Sequence, residues 1–175
     1  MDLFAGGKLS SLQEILDRKE RRASFQLKQL HSYQKPMLSF QCNIPGPIKN
    51  SPMIERIFQM GVEKIRNGLA EYSIFDECEV SFDTGPEYFA VVDCLAIDLK
   101  EICIQIEETG IGRLYDIDIL VLDDGKSNAI SRIDLGYVGR KCLICSKPAK
   151  VCGRSQSHSL AELHQSIEQL VEDTI

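Results

Sequence analysis

Gly112 to Val121 reads GRLYDIDILV, an apolar run broken by aspartates at alternate positions. Side chains of an extended strand alternate between faces, so Tyr115, Ile117, Ile119 and Val121 fall on one face and Asp116 and Asp118 on the other. The pattern predicts a strand with one core face and one acidic face. Two readings of that acidic face stand: a solvated surface, or two carboxylates held side by side to work on a cation.

The neighbouring segments set this strand in a fold. Upstream, Leu95, Leu99, Ile102, Cys103 and Ile106 recur at helical spacing, and TGIG (109–112) closes the helix. Downstream, DDGK (123–126) turns the chain into a last strand near Asn128 to Ile133. Earlier strands are expected at Cys78 to Phe82 and Tyr88 to Val92, joined as a hairpin by DTGPE (83–87). Ser51 and Pro52 start a helix running to about Glu71, with Ile54, Ile57, Phe58, Val62, Ile65 and Leu69 as its apolar stripe. PMLSFQC (36–42) reads as a short strand, and the prolines around Gly46 make NIPGPIKNSP (43–52) a shaped loop. At the start, Ser11 and Glu14 form a capping box. Leu12, Ile15, Leu16, Ala23, Leu27 and Leu30 form the packing stripe behind it, and the run DRKERR (17–22) is left exposed or free for an anion. This order predicts an α+β fold, a mainly antiparallel sheet with helices on one face in a split β-α-β layout.

A chain of 175 residues with 43% hydrophobic content supports one sizeable core. One domain spanning 1–175 is expected: an N-terminal helix (1–35), an α+β core (36–138), and a Cys/His segment with a closing helix (139–175). No apolar run is long enough to span a bilayer and no secretory signal is evident, so a soluble, cytoplasmic protein with no membrane partner is expected. The net charge of −6 argues against a nonspecific nucleic-acid binder. Seven cysteines without a secretory signal favour thiols or metal ligands over a disulfide scaffold.

Cys142, Cys145, Cys152 and His158 follow a C-x2-C-x6-C-x5-H spacing. Two thiolates from one tight turn, completed by a later Cys and His, suit a tetrahedral structural zinc; unmetallated thiols and a cysteine-only metal site are the alternatives. The helix beyond, capped by Ser159 and Glu162, has Leu160, Leu163, Ile167, Leu170 and Val171 on one stripe, and places His164 on its surface. GKS (125–127) lacks the glycine of a phosphate-binding loop, since Leu120 stands five positions before Gly125, and no hydrolase elbow or HExxH occurs. Asp116 and Asp118 suit divalent cations that assist phosphoryl or nucleotidyl transfer. The helix start at Ser51, with Lys49 and Asn50 beside it, offers N–H groups to a polyphosphate; the bland reading of Lys49 is an exposed lysine.

PGPIKNS, TGPE, GRLYDIDIL, SRIDLG, RKCLIC and VCGRSQSH, with DRKERR before them, resemble in order the motifs of the citrate lyase holo-acyl-carrier-protein synthases, the apo-citrate lyase phosphoribosyl-dephospho-CoA transferases. That resemblance implies a nucleotidyltransferase, and with it a nucleotidyltransferase-like layout as the alternative to the split β-α-β one. Its donor is 2'-(5''-triphosphoribosyl)-3'-dephospho-CoA, its acceptor a serine of the citrate lyase γ chain (the acyl carrier protein), and its by-product pyrophosphate. The D-x-D pair is similar to the metal-binding carboxylates of nucleotidyltransferases, which implies Mg2+ or Mn2+ at Asp116 and Asp118. Arg113 is then a catalytic candidate, Lys49, Asn50, Ser51 and Arg132 donor-binding candidates, and Asp83 and Asp134 candidates for a third carboxylate. The competing reading is a zinc-stabilised protein- or nucleic-acid-binding module built on Arg140, Lys141, Lys147, Lys150 and Arg154; a third is a metal-dependent phosphodiesterase using water.

Overall fold

The structure is a computed structural model and describes residues 2–175. Helix α1 (Leu12–Tyr33) leads into strand β1 (Met37–Cys42), helix α2 (Pro52–Gly68) and the hairpin β2 (Ile74–Val80) and β3 (Glu87–Val92). Helix α3 (Ala96–Glu108) and a 3-10 turn (Gly110–Leu114) then deliver β4 (Tyr115–Asp123), which pairs with β5 (Lys126–Ala129). Short α4 (Ala149–Ser155) and α5 (Leu160–Glu172) finish the chain. The strands form one sheet in the order β2-β3-β1-β4-β5 with every pairing antiparallel, the α+β class expected.

Alternation sorts the sheet into two unlike faces. Leu38 and Phe40 of β1, Tyr88, Ala90 and Val92 of β3, and Tyr115, Ile117 and Ile119 of β4 join one buried cluster with α2, α3 and α5. Phe40 stacks on Phe58 at 4.9 Å between ring centres and meets the edge of Tyr115 at 5.1 Å. Helices therefore crowd one face as expected, while α1 crosses the other, where Leu30 joins Met37, Phe89, Val91 and Leu120. The α1 stripe differs from its apolar reading: Leu12 is 72% exposed and Leu16 44%. The first half of α1 docks instead through Arg18 and Arg22, which grip the buried carboxylate of Glu87, because the strand face beneath it is charged there. Further along, Gln26 donates to the Ser39 hydroxyl at 2.9 Å.

Two strands begin earlier than the sequence suggests. β2 starts at Ile74, its register with β3 shifted between Ile74 and Asp76, and Phe82 falls in the turn. β5 starts at Lys126, because Asp124 (φ 47°) and Gly125 (φ 72°) make a two-residue turn with both φ values positive, which fixes Asp123 opposite Lys126.

β5 pairs with Leu120 to Asp123, and the Ile130 N–H just after it donates to the Ile119 carbonyl at 2.8 Å, so among the described residues the outer edge of β4 from Tyr115 to Asp118 has no strand beside it. α3 supplies what the missing strand would. Lys100 Nζ donates to the Ile117 carbonyl at 2.9 Å, and the Ile117 N–H donates to Glu107 Oε1 at 2.9 Å. This holds the end of α3 against the start of β4, and the linking turn is tight: a Cβ at Gly112 would lie 1.9 Å from the Ile106 carbonyl oxygen. No flexible side chain can move aside there. Gly112→Ala should therefore destabilise the fold by more than about 2 kcal/mol, whereas Gly110→Ala, with nothing within 4 Å of its Cβ, should pay only for its φ of 51°; urea unfolding of the two variants checks the contrast.

Candidate active site

Asp116 stands opposite Gln41 and Asp118 opposite Ser39, both on the face crossed by α1. The same β1 residues face Glu87 and Phe89 on their other side, so Asp116, Gln41 and Glu87 form one row across three strands. Asp118 is exposed and Asp116 half-buried. Although the residue meets solvent, loss of hydration around its carboxylate, then the neighbouring charges of Asp116 and Glu107, raises the proton affinity of Asp118; Lys100 and Arg140 pull it the other way. The pair is thus an anionic spot beside the α3 edge, short of compensating charge.

Neither expected third carboxylate joins it. Asp83 pairs with the exposed Lys8 at 3.1 Å in the β2–β3 turn, and Asp134 accepts the Ser131 N–H at 3.2 Å. Glu87 lies in the right row but two strands away, roughly 10 Å at ordinary strand spacing, and Arg18 and Arg22 already hold it. Arg18 also lies 3.9 Å over the Phe82 ring. Sequence reasoning missed this clamp because its partners are 65 to 69 residues apart.

Beyond the β4 edge lies a cleft of about 790 Å³, walled by the turn before β4, the end of α3, the segment after β5, α4 and α5. Arg113, Arg132, Arg140 and Lys141 line it with Glu107 and Glu108. Arg113 donates to the carbonyls of Lys141 (2.9 Å) and Cys142 (3.4 Å). Arg132 pairs with Glu107 at 2.7 Å and Glu108 at 3.3 Å, and Arg140 also binds Glu107. Of the side chains named for donor binding, Arg132 reaches this cleft, as does the catalytic candidate Arg113; Lys49, Asn50 and Ser51 do not.

Those three residues are engaged inside the fold. Lys49 Nζ donates to the Ile44 carbonyl at 2.5 Å, and burial lowers its proton affinity. Asn50 donates to Glu55, Ser81 and the Phe82 carbonyl, while the Ser51 hydroxyl accepts the Ile54 N–H and donates to the Leu3 carbonyl. The helix start expected to await a phosphate is capped by its own serine and covered by the N-terminal segment.

The Cys/His segment assembles as its spacing predicts. Cys142, Cys145, Cys152 and His158 offer ligand atoms that all lie within 4.8 Å of one another, a Cys3His cluster able to coordinate a metal. Cys145 and Cys152 sulfurs are 3.5 Å apart, and His158 Nε2 is 3.4 Å from Cys145 Sγ. Burial pushes the Cys142 thiol up, but N–H groups of Ile144 and Cys145 and the neighbouring thiols outweigh it and bring it down to about 7. Burial and the neighbouring sulfurs push Cys152 up to about 11. Thiols this close cannot all ionise unless a cation shares them, and soft sulfur with imidazole suits zinc-like ions. His164 is half-buried instead of standing free on the helix surface: its Nε2 lies 2.9 Å from the Pro45 carbonyl and its ring 4.1 Å from that of Phe4, tying α5 to the Pro-rich loop.

Adjacent strand carboxylates beside an arginine-walled cleft suit group transfer at phosphate. Residues 10–174 match the family described as apo-citrate lyase phosphoribosyl-dephospho-CoA transferase. The chain is 40% identical to the probable apo-citrate lyase phosphoribosyl-dephospho-CoA transferase of Streptococcus pyogenes serotype M18 over 172 residues, covering 97% of this chain and 90% of that one. It is 33% identical to the corresponding Escherichia coli O1:K1 transferase, covering 97% and 93%. It is 36% identical to Protein CitXG of Leuconostoc mesenteroides subsp. cremoris, covering 98% of this chain and 37% of that longer protein. The chain belongs to the apo-citrate lyase phosphoribosyl-dephospho-CoA transferase family.

The raised proton affinity of Asp118 has a defined sign in stability. A carboxylate whose folded value lies above its unfolded value contributes stability that is present at low pH and lost as pH rises through the folded value. Asp118→Asn removes that loss, so with divalent ions chelated the variant should melt higher than the parent at pH 7. The gain should vanish by about pH 3, below the ordinary aspartate value of about 3.9, where the aspartate is largely neutral in both states; melting curves at pH 7 and at this lower pH measure it.

Proposed function

We propose that the chain is a nucleotidyltransferase. It moves the 2'-(5''-phosphoribosyl)-3'-dephospho-CoA group from its triphosphate precursor to a serine of the citrate lyase acyl carrier protein, the γ chain, with release of pyrophosphate. One observation supports this most directly: a member of this family holds Asp116 and Asp118 side by side on the face of β4 that α1 crosses, next to a basic cleft. The serine oxygen bonds to the α-phosphorus, the bond from that phosphorus to the bridging oxygen breaks, and the proton of the hydroxyl is lost to solvent. Asp116 and Asp118 would hold Mg2+ (or Mn2+), which supplies charge withdrawal from the α-phosphate when bound. Arg140, already felt at Asp118, and Arg113 set positive charge on the cleft side of the carboxylate pair, where the anionic donor would enter. Lys49, Asn50 and Ser51 shape the loop before α2, and Arg18 and Arg22, clamped by Glu87, fix α1 over the acidic face.

Cys142, Cys145, Cys152 and His158 would hold zinc. Four protein ligands leave no open position, so this zinc supports the cleft wall and does no chemistry. On this reading residues 1–175 act as one domain, with α1, the sheet and the Cys/His segment each contributing one wall of the site. No helix among the described residues is long and apolar enough to cross a membrane. All seven cysteines are free, which suits a reducing, cytoplasmic setting, and the net charge of −6 is unlike that of a nucleic-acid binder.

Incubation with the triphosphoribosyl donor, magnesium and apo carrier should add the prosthetic-group mass to one serine of the carrier, read by mass spectrometry. Asp116→Asn and Asp118→Asn should each lower transfer by at least about a hundredfold while remaining folded; an unmodified carrier with folded wild-type protein would sink the assignment.

Protein purified without chelators should contain close to one zinc per chain. Cys145→Ser should reduce both the zinc content and the melting temperature, and added magnesium should restore neither, since hard ions do not replace zinc among thiolates. Elemental analysis alongside calorimetry reads both quantities.

A further inference from the structure

Asp116 and Asp118 account for the reacting phosphate of the donor but not for the rest of it. The donor also carries an adenosine, a diphosphate and a long pantetheine arm, and the sheet face beside the aspartates is taken up by α1. The cleft on the other side of the β4 edge has the missing properties. Its volume of about 790 Å³ lies within the range of about 300–1,000 Å³ of pockets that enclose such ligands. Its basic side chains outnumber its carboxylates by two, in a protein whose net charge is −6. Val138, Leu143 and Leu163 line it as well, so it offers apolar surface and phosphate-binding charge together.

The arginines are held in place. Glu107, 4% exposed, accepts from Arg132 and binds Arg140, while carbonyls of the Cys/His segment fix Arg113. A guanidinium has five donors, so Arg113 keeps several free after these contacts. Such tethered cations meet a phosphate with little loss of side-chain freedom. Arg140 is also among the groups whose charge reaches Asp118, which puts the cleft and the carboxylate pair within one electrostatic neighbourhood.

We propose that this cleft is a nucleotide site. It takes the dephospho-CoA portion of the donor, with the diphosphate against Arg113, Arg140 and Lys141 and the pantetheine arm along Val138 and Leu163, leaving the triphosphate to extend past the β4 edge to Asp116 and Asp118. The assignment of this ligand rests on the transferase reading above.

Titration calorimetry with dephospho-CoA, which lacks the triphosphoribosyl arm and is not consumed, tests the site apart from the chemistry. Wild-type protein should bind it. Val138→Trp, which fills the cleft from a residue 75% exposed, and Lys141→Glu, which reverses a wall charge, should each weaken binding by about tenfold or more. Asp116→Asn, outside the cleft, should leave affinity within about twofold. Melting curves confirm that the variants are folded, and the two wall variants act by different physics, so a folding defect in one leaves the other as the test. Absence of dephospho-CoA binding by folded wild type, or unchanged affinity in both wall variants, overturns the site. Carrier labelling decides the transferase reading separately. A labelled carrier with unchanged affinity in the wall variants removes the cleft and leaves transfer standing, whereas an unlabelled carrier with weakened binding in those variants removes transfer and supports a nucleotide site.

Discussion

The buried carboxylate of Glu107 joins three separate parts of this structure. It accepts the Ile117 N–H from a strand edge that has no neighbouring strand, and it binds Arg132 from the turn after β5 and Arg140 from the approach to the cysteines. An unpaired N–H on that edge would cost about 1–3 kcal/mol if buried, and an uncompensated carboxylate with 4% exposure would cost more. Each partner therefore requires the other. The result is that α3, β4 and the Cys/His segment meet at one point, and the cleft and the carboxylate pair occupy opposite sides of it.

A second buried carboxylate organises the opposite face. Glu87 lies at the start of β3 and receives both Arg18 and Arg22, so α1 is seated by charge at one end and by Leu30 at the other. Two arginines on one carboxylate leave a positive excess over the sheet face that carries Asp116 and Asp118. Lys100 and Arg140 lie at the edge of the acidic pair, while Arg18 and Arg22 are held by Glu87 two strands away on the same face. That arrangement suits a site that must attract a polyphosphate while holding carboxylates close together.

The Cys/His segment lacks an extended apolar core of its own and depends on local geometry instead. Cys142 N–H donates to the Lys147 carbonyl at 2.8 Å and Ala149 N–H to the Arg140 carbonyl at 2.8 Å, closing a knuckle that brings the first two cysteines together. α4 then presents Cys152, and the chain reverses at Gln156 to supply His158. Because carbonyls of this same knuckle hold Arg113, order in the cluster and order in the cleft wall are linked through two hydrogen bonds.

The sequence by itself determined the features that rest on local periodicity and local chemistry. Alternation put Asp116 and Asp118 on one face of β4, Ser11, Ser51 and Ser159 capped their helices, and the cysteine spacing marked a metal-binding cluster. Its family motifs also pointed to the family to which the chain belongs. What the tertiary structure alone decided was the use of charges whose partners are distant in sequence. Lys49, Asn50 and Ser51 read as an open anion site, but contacts from Leu3, Ile44, Ser81 and Phe82 consume them. Lys100 and Glu107 fall outside the apolar stripe that marks α3 in the sequence, yet an incomplete strand edge draws both inside. Hydrophobic periodicity reports which face of an element is buried, whereas the partner of a buried charge depends on which elements meet there, and only the folded chain specifies that.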